Sequence, residues 1–78
     1  MIKKTEAIKV AVEKLKENNI PDYKISSEYI LAVALKKKHE DLFSINNLTD
    51  KEYKRYIKLV NKRCKHVPLD KIIGFVEF

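Results

Sequence analysis

Glycine is almost absent from this chain, and its scarcity limits the possible folds more than any other feature does. The 78 residues include one glycine, Gly74, and two prolines, Pro21 and Pro68. An all-β domain needs many tight turns, which depend on glycine and proline for their backbone angles. Hydrophobic residues make up 45% of the chain and charged residues 36%, a balance typical of a folded soluble domain. The sequence therefore predicts a single all-α domain with a modest core.

The same scarcity argues against catalysis by this chain. Loops that hold dinucleotides or S-adenosylmethionine use several glycines, because the backbone must approach the ligand closely. None of the serines has a histidine at a spacing that suggests a nucleophile and its base. His39 and His66 have no metal-ligand partners at helical spacing, and the single Cys64 excludes an internal disulfide. We therefore expect no catalytic, cofactor-binding or metal-binding residue in this chain.

Two helices are predicted in the first half of the chain. The first should run from about Ile2 or Thr5 to Asn18, since an apolar stripe repeats there at helical spacing. The second should begin near Ser26, whose hydroxyl suits an N-cap, and should continue through residues 30–35. Because residues 30–35 are apolar on nearly every side, we expect the second helix to be the most buried. The stripe of the first helix consists of Ile8, Ala11, Val12 and Leu15.

The helix with the clearest start signal begins after Thr49. Thr49 and Glu52 match a capping box, in which the threonine caps the helix and the glutamate bonds back to the cap. The helix should continue to about Lys65. Both of its tyrosines are expected to pack in the core with their hydroxyls at the rim, and Cys64 to pack as a small hydrophobe. Its apolar stripe consists of Tyr53, Tyr56, Ile57, Val60 and Cys64.

Two shorter segments complete the predicted bundle. Residues 39–45 predict one or two helical turns. Pro68 suits the first position of a short fifth helix, and Gly74 suits the position after its last residue. We therefore expect a bundle of about five helices with short connections, ending in a strand-like stub at residues 75–78. The apolar side chains that residues 39–45 offer to the core are Leu42, Phe43 and Ile45.

The charge of the chain favours acidic partners. Its formal net charge is +6, and the helix that starts after Thr49 carries a basic stripe opposite its apolar one. Such a ridge suits a phosphate backbone or an acidic protein surface, although a solvated lysine-rich face gives the same pattern. We take Lys54, Lys58 and Lys62 as candidate partner-binding residues. The whole stripe consists of Lys51, Lys54, Arg55, Lys58, Lys62 and Lys65, with Arg63 nearby.

Two stretches of the chain carry a family resemblance. Residues 26–35, which are mostly apolar, form the first stretch, and a second pattern of basic and apolar residues closes the chain. Together they resemble the N-terminal domain of the HemK/PrmC family, the methyltransferases that modify a glutamine in peptide chain release factors. His66 and Val67 depart from the Gly-Glu that the family commonly has there, as Ser26 does from its usual aspartate. The second pattern consists of Lys62, Arg63, Pro68, Leu69, Ile72, Gly74, Glu77 and Phe78.

The resemblance implies a helical recognition domain at residues 1–74. Residues 75–78 would begin a hairpin that leads to a Rossmann-like methyltransferase domain outside this chain. That domain carries the S-adenosylmethionine loop and the Asn-Pro-Pro-Tyr motif in the family, and neither occurs here, so no catalytic or cofactor-binding residue is carried over. The implied partners are a release factor, docked so that its Gly-Gly-Gln loop reaches the active site, and the chain's own methyltransferase domain.

Two alternatives to release-factor docking remain open at this point. One is a free-standing basic module that binds nucleic acid, and the other is a scaffold that only covers the methyltransferase domain. A membrane partner is not expected, because no apolar run approaches the ~18 residues of a membrane span. The start of the chain has no apolar secretory stretch, so we expect a cytoplasmic protein.

Overall fold

The computed structural model describes residues 1–74 of the chain. Over these residues it contains four α-helices, one 3₁₀ helix and a two-stranded antiparallel sheet, which confirms the predicted helical bundle. Residues 75–78, for which the sequence predicts a strand-like stub, lie outside the described residues. No helix within residues 1–74 is both long and apolar enough to cross a membrane. The elements are β1 (Ile2–Lys3), α1 (Lys4–Glu17), α2 (Tyr23–Leu35), the 3₁₀ helix (His39–Ser44), β2 (Asn47–Leu48), α3 (Asp50–Cys64) and α4 (Leu69–Gly74).

Helix α2 lies at the centre of the bundle, as its sequence predicts. It contacts α1, α3, α4 and the 3₁₀ helix, and residues 30–35 are all buried. Helices α1 and α3 also pack against each other, so that α1, α2 and α3 enclose one core. The small side chains of α1 allow this close approach, because burial of alanine leaves the helix backbones near one another. The fully buried side chains of α1 are Ala7, Ala11 and Leu15.

A short antiparallel sheet sets the start of α1. Ile2 of β1 pairs with Leu48 of β2, and the backbone N–H of Lys4 donates to the carbonyl oxygen of Asn46 at 2.9 Å. These contacts hold the first residues in an extended conformation, so α1 begins at Lys4 and a start at Ile2 was wrong. The partners lie more than 40 residues away along the chain, and no local pattern in the sequence indicates them.

The start of α2 differs from the prediction. The helix begins at Tyr23, and the carbonyl oxygen of Asp22 accepts a hydrogen bond from the backbone N–H of Ser26 at 2.9 Å. Ser26 is therefore inside the first turn and is not the N-cap. Its side chain is fully buried, and its hydroxyl oxygen accepts from the Nε of Arg63 at 3.4 Å. The serine that suggested a cap instead joins α2 to α3.

Three helices end at a residue in the left-handed conformation, and none of these residues is glycine. Asn19, Lys36 and His66 have φ values of 60°, 58° and 64°. After each, the next backbone N–H bonds back into the last turn, as from Val67 to the carbonyl oxygen of Lys62 at 3.4 Å. This is the Schellman arrangement, in which glycine is the usual residue because it has no Cβ. The predicted asparagine end of α1 is confirmed, and His66 stands where the family resemblance expects glycine.

Gly74 does not have the predicted role at a helix end. It lies within α4 (Leu69–Gly74), and the structure records no glycine with a positive φ over residues 1–74. The start of this helix agrees with prediction to within one residue, because the carbonyl oxygen of Pro68 accepts from the backbone N–H of Ile72 at 3.2 Å. The buried side chain of α4 is Ile72, which joins the main core.

The segment between α2 and α3 agrees with the sequence except at one residue. The predicted helical turns form the 3₁₀ helix, with Leu42 buried and Ile45 packed against the core. Phe43, which was expected in the core, is 84% exposed. The capping box is present, with Thr49 Oγ1 accepting from the N–H of Glu52 at 3.1 Å and the N–H of Thr49 donating to Glu52 Oε1 at 2.8 Å.

Candidate partner-docking surfaces

Helix α3 presents the candidate lysines along one face. At about 100° per residue, four lysines of this helix fall within an arc of about 80° around its axis, and Lys54, Lys58 and Lys62 are spaced about 6 Å apart along it. Lys54 and Lys58 are exposed, and Lys62 is partly buried. No carboxylate of α3 lies within the arc, since Asp50 falls about 40° beyond it. We call this set the lysine ridge: Lys51, Lys54, Lys58 and Lys62.

The opposite face of α3 fixes the direction of the lysine ridge. Tyr56 is 0% exposed, and its hydroxyl donates to the carbonyl oxygen of Ser27 in α2 at 2.9 Å. Burial raises the pKa of Tyr56 well above the ordinary tyrosine value, because the phenolate would lose its hydration. The predicted core position is therefore confirmed, whereas the predicted placement of the Tyr56 hydroxyl at the rim was wrong. Tyr53 is partly buried and packs against the core.

The two arginines of α3 hold the bundle together and do not belong to the lysine ridge. Arg55 donates from Nη1 to the carbonyl oxygen of Ala34 at 2.9 Å, near the end of α2. Arg63 pairs through Nη2 with Asp22 Oδ1 at 3.0 Å and donates through Nη1 to the carbonyl oxygen of Val67 at 3.1 Å. Both side chains are partly buried. Arg55, which the sequence places in the basic stripe, therefore joins α3 to α2.

The environment of Asp22 stabilises its charged form. Burial acts to raise the pKa of Asp22, but the hydrogen bonds from Arg63 and Ser26 and the positive charge of Arg63 outweigh it. The net result is a pKa below the ordinary aspartate value. The Asp22–Arg63 pair thus links the start of α2 to the end of α3.

A second surface lies between α1, α2 and the 3₁₀ helix. These elements enclose an open groove with a volume of about 370 Å³. The floor is apolar, and the sequence did not predict a groove here, because four of the five floor residues were assigned to the apolar stripe of α1 or to the core. The available signal was the width of the apolar stripe on α1, of which Ala11 and Leu15 are fully buried whereas Ile8 and Val12 are only partly buried. The floor consists of Ile8, Val12, Tyr23, Leu42 and Phe43.

The rim of this groove carries more positive than negative charge. Lys4 donates from Nζ to the carbonyl oxygen of Leu42 at 2.7 Å, and Lys16 places its Nζ 4.8 Å from the centre of the Tyr23 ring. Lys24 also lines the groove and is exposed. On the other side, Glu28 Oε1 lies 3.3 Å from Nε2 of His39.

The stacking of His39 fixes that side of the rim. Its ring stacks on Tyr29, with 4.5 Å between ring centroids. The one carboxylate among the lining residues, Glu28, is therefore already in contact with an ordered imidazole, and it offsets only part of the positive charge of the three rim lysines.

Nearly all of the described chain matches a known protein family. A model described as the PrmC N-terminal domain matches residues 6–74, from the first turn of α1 to the end of α4. The chain belongs to this family. The resemblance to the N-terminal domain of the HemK/PrmC family is thereby confirmed. No curated protein and no solved structure shows a significant match to the chain.

The PrmC N-terminal domain family assigns the chain to a domain of the PrmC methyltransferase. In the described part of this PrmC domain, no three histidine, cysteine, aspartate or glutamate side chains are grouped to hold a metal ion. Cys64 packs against the core as predicted, with Sγ 3.6 Å from the carbonyl oxygen of Lys14, and burial raises the pKa of its thiol.

Proposed function

We propose that this PrmC N-terminal domain docks a peptide chain release factor for methylation by the methyltransferase domain of the same protein. Docking would bring the glutamine of the Gly-Gly-Gln loop to the active site, where S-adenosylmethionine supplies the methyl group. Family membership supports the reaction class. The observation that carries the docking role is the lysine ridge, a row of four cations along one face of an anchored helix.

The physical contribution of such a domain is proximity. A docked substrate reacts as part of one complex, so the entropy cost of bringing the two groups together is met by binding energy from outside the active site. Lysines on a rim contribute chiefly by steering an acidic surface into register and raising the association rate. Lys54, Lys58 and Lys62 are the proposed contact residues. The proposed location of the reaction is the cytoplasm.

The test reverses the charge of the lysine ridge in the PrmC protein that carries this domain. In the variant Lys54→Glu/Lys58→Glu/Lys62→Glu, we expect kcat/KM for an intact release factor to fall by about tenfold at low salt. The value for a short Gly-Gly-Gln peptide should stay unchanged, because the proposal places only the intact factor in contact with the ridge. A matched control reverses three exposed lysines elsewhere, with Lys3→Glu/Lys9→Glu/Lys37→Glu. Equal kinetics for variant and control on the intact factor would refute the proposal.

The lysine ridge also supports a second candidate function, the binding of RNA. Its four cations extend over about 16 Å of helix, a length that suits several successive phosphates. A salt titration with single-stranded RNA distinguishes the two functions. A dissociation constant tighter than about micromolar with a steep salt dependence would favour RNA. Binding that is undetectable at low salt would exclude it.

The scaffold alternative has its own distinguishing result. If the bundle only covers one face of the methyltransferase domain, its deletion should reduce methylation of the short peptide and of the intact release factor equally. If the bundle docks the release factor, the deletion should reduce methylation of the intact factor selectively.

A further inference from the structure

We propose that the groove between α1, α2 and the 3₁₀ helix is a separate docking site. Its occupant is an amphipathic segment of a partner protein, whose large apolar side chains enter the groove and whose flanking residues are acidic. This inference goes beyond the docking role of the lysine ridge and does not depend on it. The groove is lined by residues between Lys4 and Phe43, and none of its lining residues comes from α3.

The apolar floor of the groove is the first argument. Phe43 is 84% exposed, although the neighbouring Leu42 is buried. The 3₁₀ helix therefore leaves a large aromatic ring exposed to solvent at the groove. Ile8 and Val12 are partly buried beside it. An exposed apolar patch with a polar rim often marks a site where a protein binds a partner or a ligand. Its volume of about 370 Å³ also lies within the range of sites that bury a ligand.

The charge of the rim determines the chemistry of the occupant. Lys16 and Lys24 are exposed, and the positive charge of Lys4 lies at the same rim. Glu28 is in contact with His39 and offsets only part of this charge. An apolar segment flanked by glutamate or aspartate would complement such a rim, whereas one flanked by lysine would be repelled. Helix-in-groove recognition uses this pairing of apolar anchors with complementary flanks.

A second copy of the chain fits the groove less well. It would bring a net charge of +6 against a rim that is already positive. An acidic segment of another protein therefore matches the groove best.

The test uses the ¹⁵N-labelled chain and a synthetic probe. The probe is an 18-residue helical peptide with leucines along one face and glutamates on both flanks of that face. We expect saturable chemical-shift changes at groove residues such as Val12 and Phe43, with few changes on α3. The same peptide with lysines in place of the glutamates should bind about tenfold more weakly.

Single substitutions locate the binding site. Phe43→Ala should weaken binding of the acidic peptide about fivefold, and Lys24→Glu should weaken it about threefold. Both side chains are exposed, so neither change should alter the unfolding midpoint. Ile25→Ala is the apolar control, since Ile25 is 55% exposed on α2 but does not line the groove. Lys58→Glu on the lysine ridge is the charge control.

Several outcomes would overturn the proposal. The groove residues could show no saturable shifts, or the lysine peptide could bind as tightly as the glutamate peptide. Phe43→Ala and Ile25→Ala could have equal effects, which would mean that binding is not at the groove. Sedimentation could also show self-association that Phe43→Ala abolishes, which would make the occupant a second copy. Failure of the lysine-ridge experiments would leave these results unaffected, so the two proposals are distinguishable.

Discussion

The hydroxyl of Tyr56 on α3 donates a 2.9 Å hydrogen bond to the carbonyl oxygen of Ser27 on α2. Both residues are almost completely buried, with exposures of 0% and 1%. The bond fixes the rotation of α3 about its own axis, because any rotation would leave the buried hydroxyl without a hydrogen-bond partner. It therefore also fixes the opposite side of the helix, where the lysine ridge faces solvent.

Removal of this hydroxyl should destabilise the domain without changing its fold. We expect Tyr56→Phe to lower the free energy of unfolding by about 1 kcal/mol, the net worth of one buried hydrogen bond. Urea unfolding followed by circular dichroism measures the change. Tyr53→Phe is the control, since that side chain is only partly buried. Equal effects of the two substitutions would show that the Tyr56–Ser27 bond has no special role.

The buried hydroxyl of Tyr56 also predicts an alkaline limit to stability. Burial raises the pKa of Tyr56 in the folded state, whereas the unfolded chain releases this proton near the ordinary tyrosine pKa of about 10. The unfolded state then binds fewer protons than the folded state, so the free energy of unfolding falls as the pH rises above about 10. Urea unfolding between pH 9 and about 11.5 tests this slope. Tyr56→Phe should flatten it, and an unchanged slope would contradict the assignment.

The Asp22–Arg63 pair predicts an acid-dependent contribution to stability. The pKa of Asp22 is lowered in the folded state, so its contribution is fully present above the ordinary aspartate pKa of about 4 and is lost as the pH falls through the folded value. The Asp22 side chain is 40% exposed, so we expect Asp22→Asn to cost no more than about 1 kcal/mol at pH 7. Unfolding midpoints from pH 7 to about 2 should fall less steeply in this variant than in the original chain.

A second variant tests the role of the arginine in this pair. Arg63→Gln removes the cation that lowers the pKa of Asp22 and should flatten the acid profile as Asp22→Asn does. If the two variants retained the original acid dependence, another carboxylate would be responsible for it.

Glycine should be stabilising at two of the left-handed helix ends. His66 and Lys36 adopt φ values of 64° and 58°, which strain a side chain with a Cβ. We expect His66→Gly and Lys36→Gly each to raise the free energy of unfolding by about 0.5–1 kcal/mol, after allowance for the greater freedom of glycine in the unfolded chain. Thermal unfolding measures the gain.

The control for this prediction is the third left-handed position. Asn19→Gly should gain less, because asparagine tolerates the left-handed conformation. Similar gains at all three positions would mean that the side-chain type does not matter there. A loss at His66 would show that its side chain contributes a contact that outweighs the strain.

Local chemistry made much of this fold predictable. The capping box of Thr49 and Glu52 depends on residues three apart, and the end of α1 depends on an asparagine next to the last turn. The apolar run of residues 30–35 indicated the central helix because burial on all sides needs apolar residues on all sides. The placement of Lys54 and Lys58 on one solvent face followed from helical spacing alone, and their role as docking residues stays a prediction.

Several predictions from the sequence were wrong because they could not include the tertiary packing. Ser26 looked like a cap because its own neighbourhood suits one, but Arg63 lies against it in the folded domain. Phe43 looked like a core residue because it is large and apolar, yet the direction of the 3₁₀ helix turns it toward solvent. The same turn creates the groove, whose shape depends on how three elements meet.

The amino-acid sequence by itself determined that this chain forms a helical bundle of the PrmC N-terminal type. Too few glycines are present for any fold rich in turns, and helical spacing, caps and apolar stripes act between residues a few positions apart. Only the tertiary structure decided which polar side chains hold the bundle together, where the β1–β2 pair begins and which apolar residues remain at the surface. Those features depend on contacts between residues 20 to 50 positions apart, such as Arg55 with Ala34 and Cys64 with Lys14, which exist only once the helices have packed.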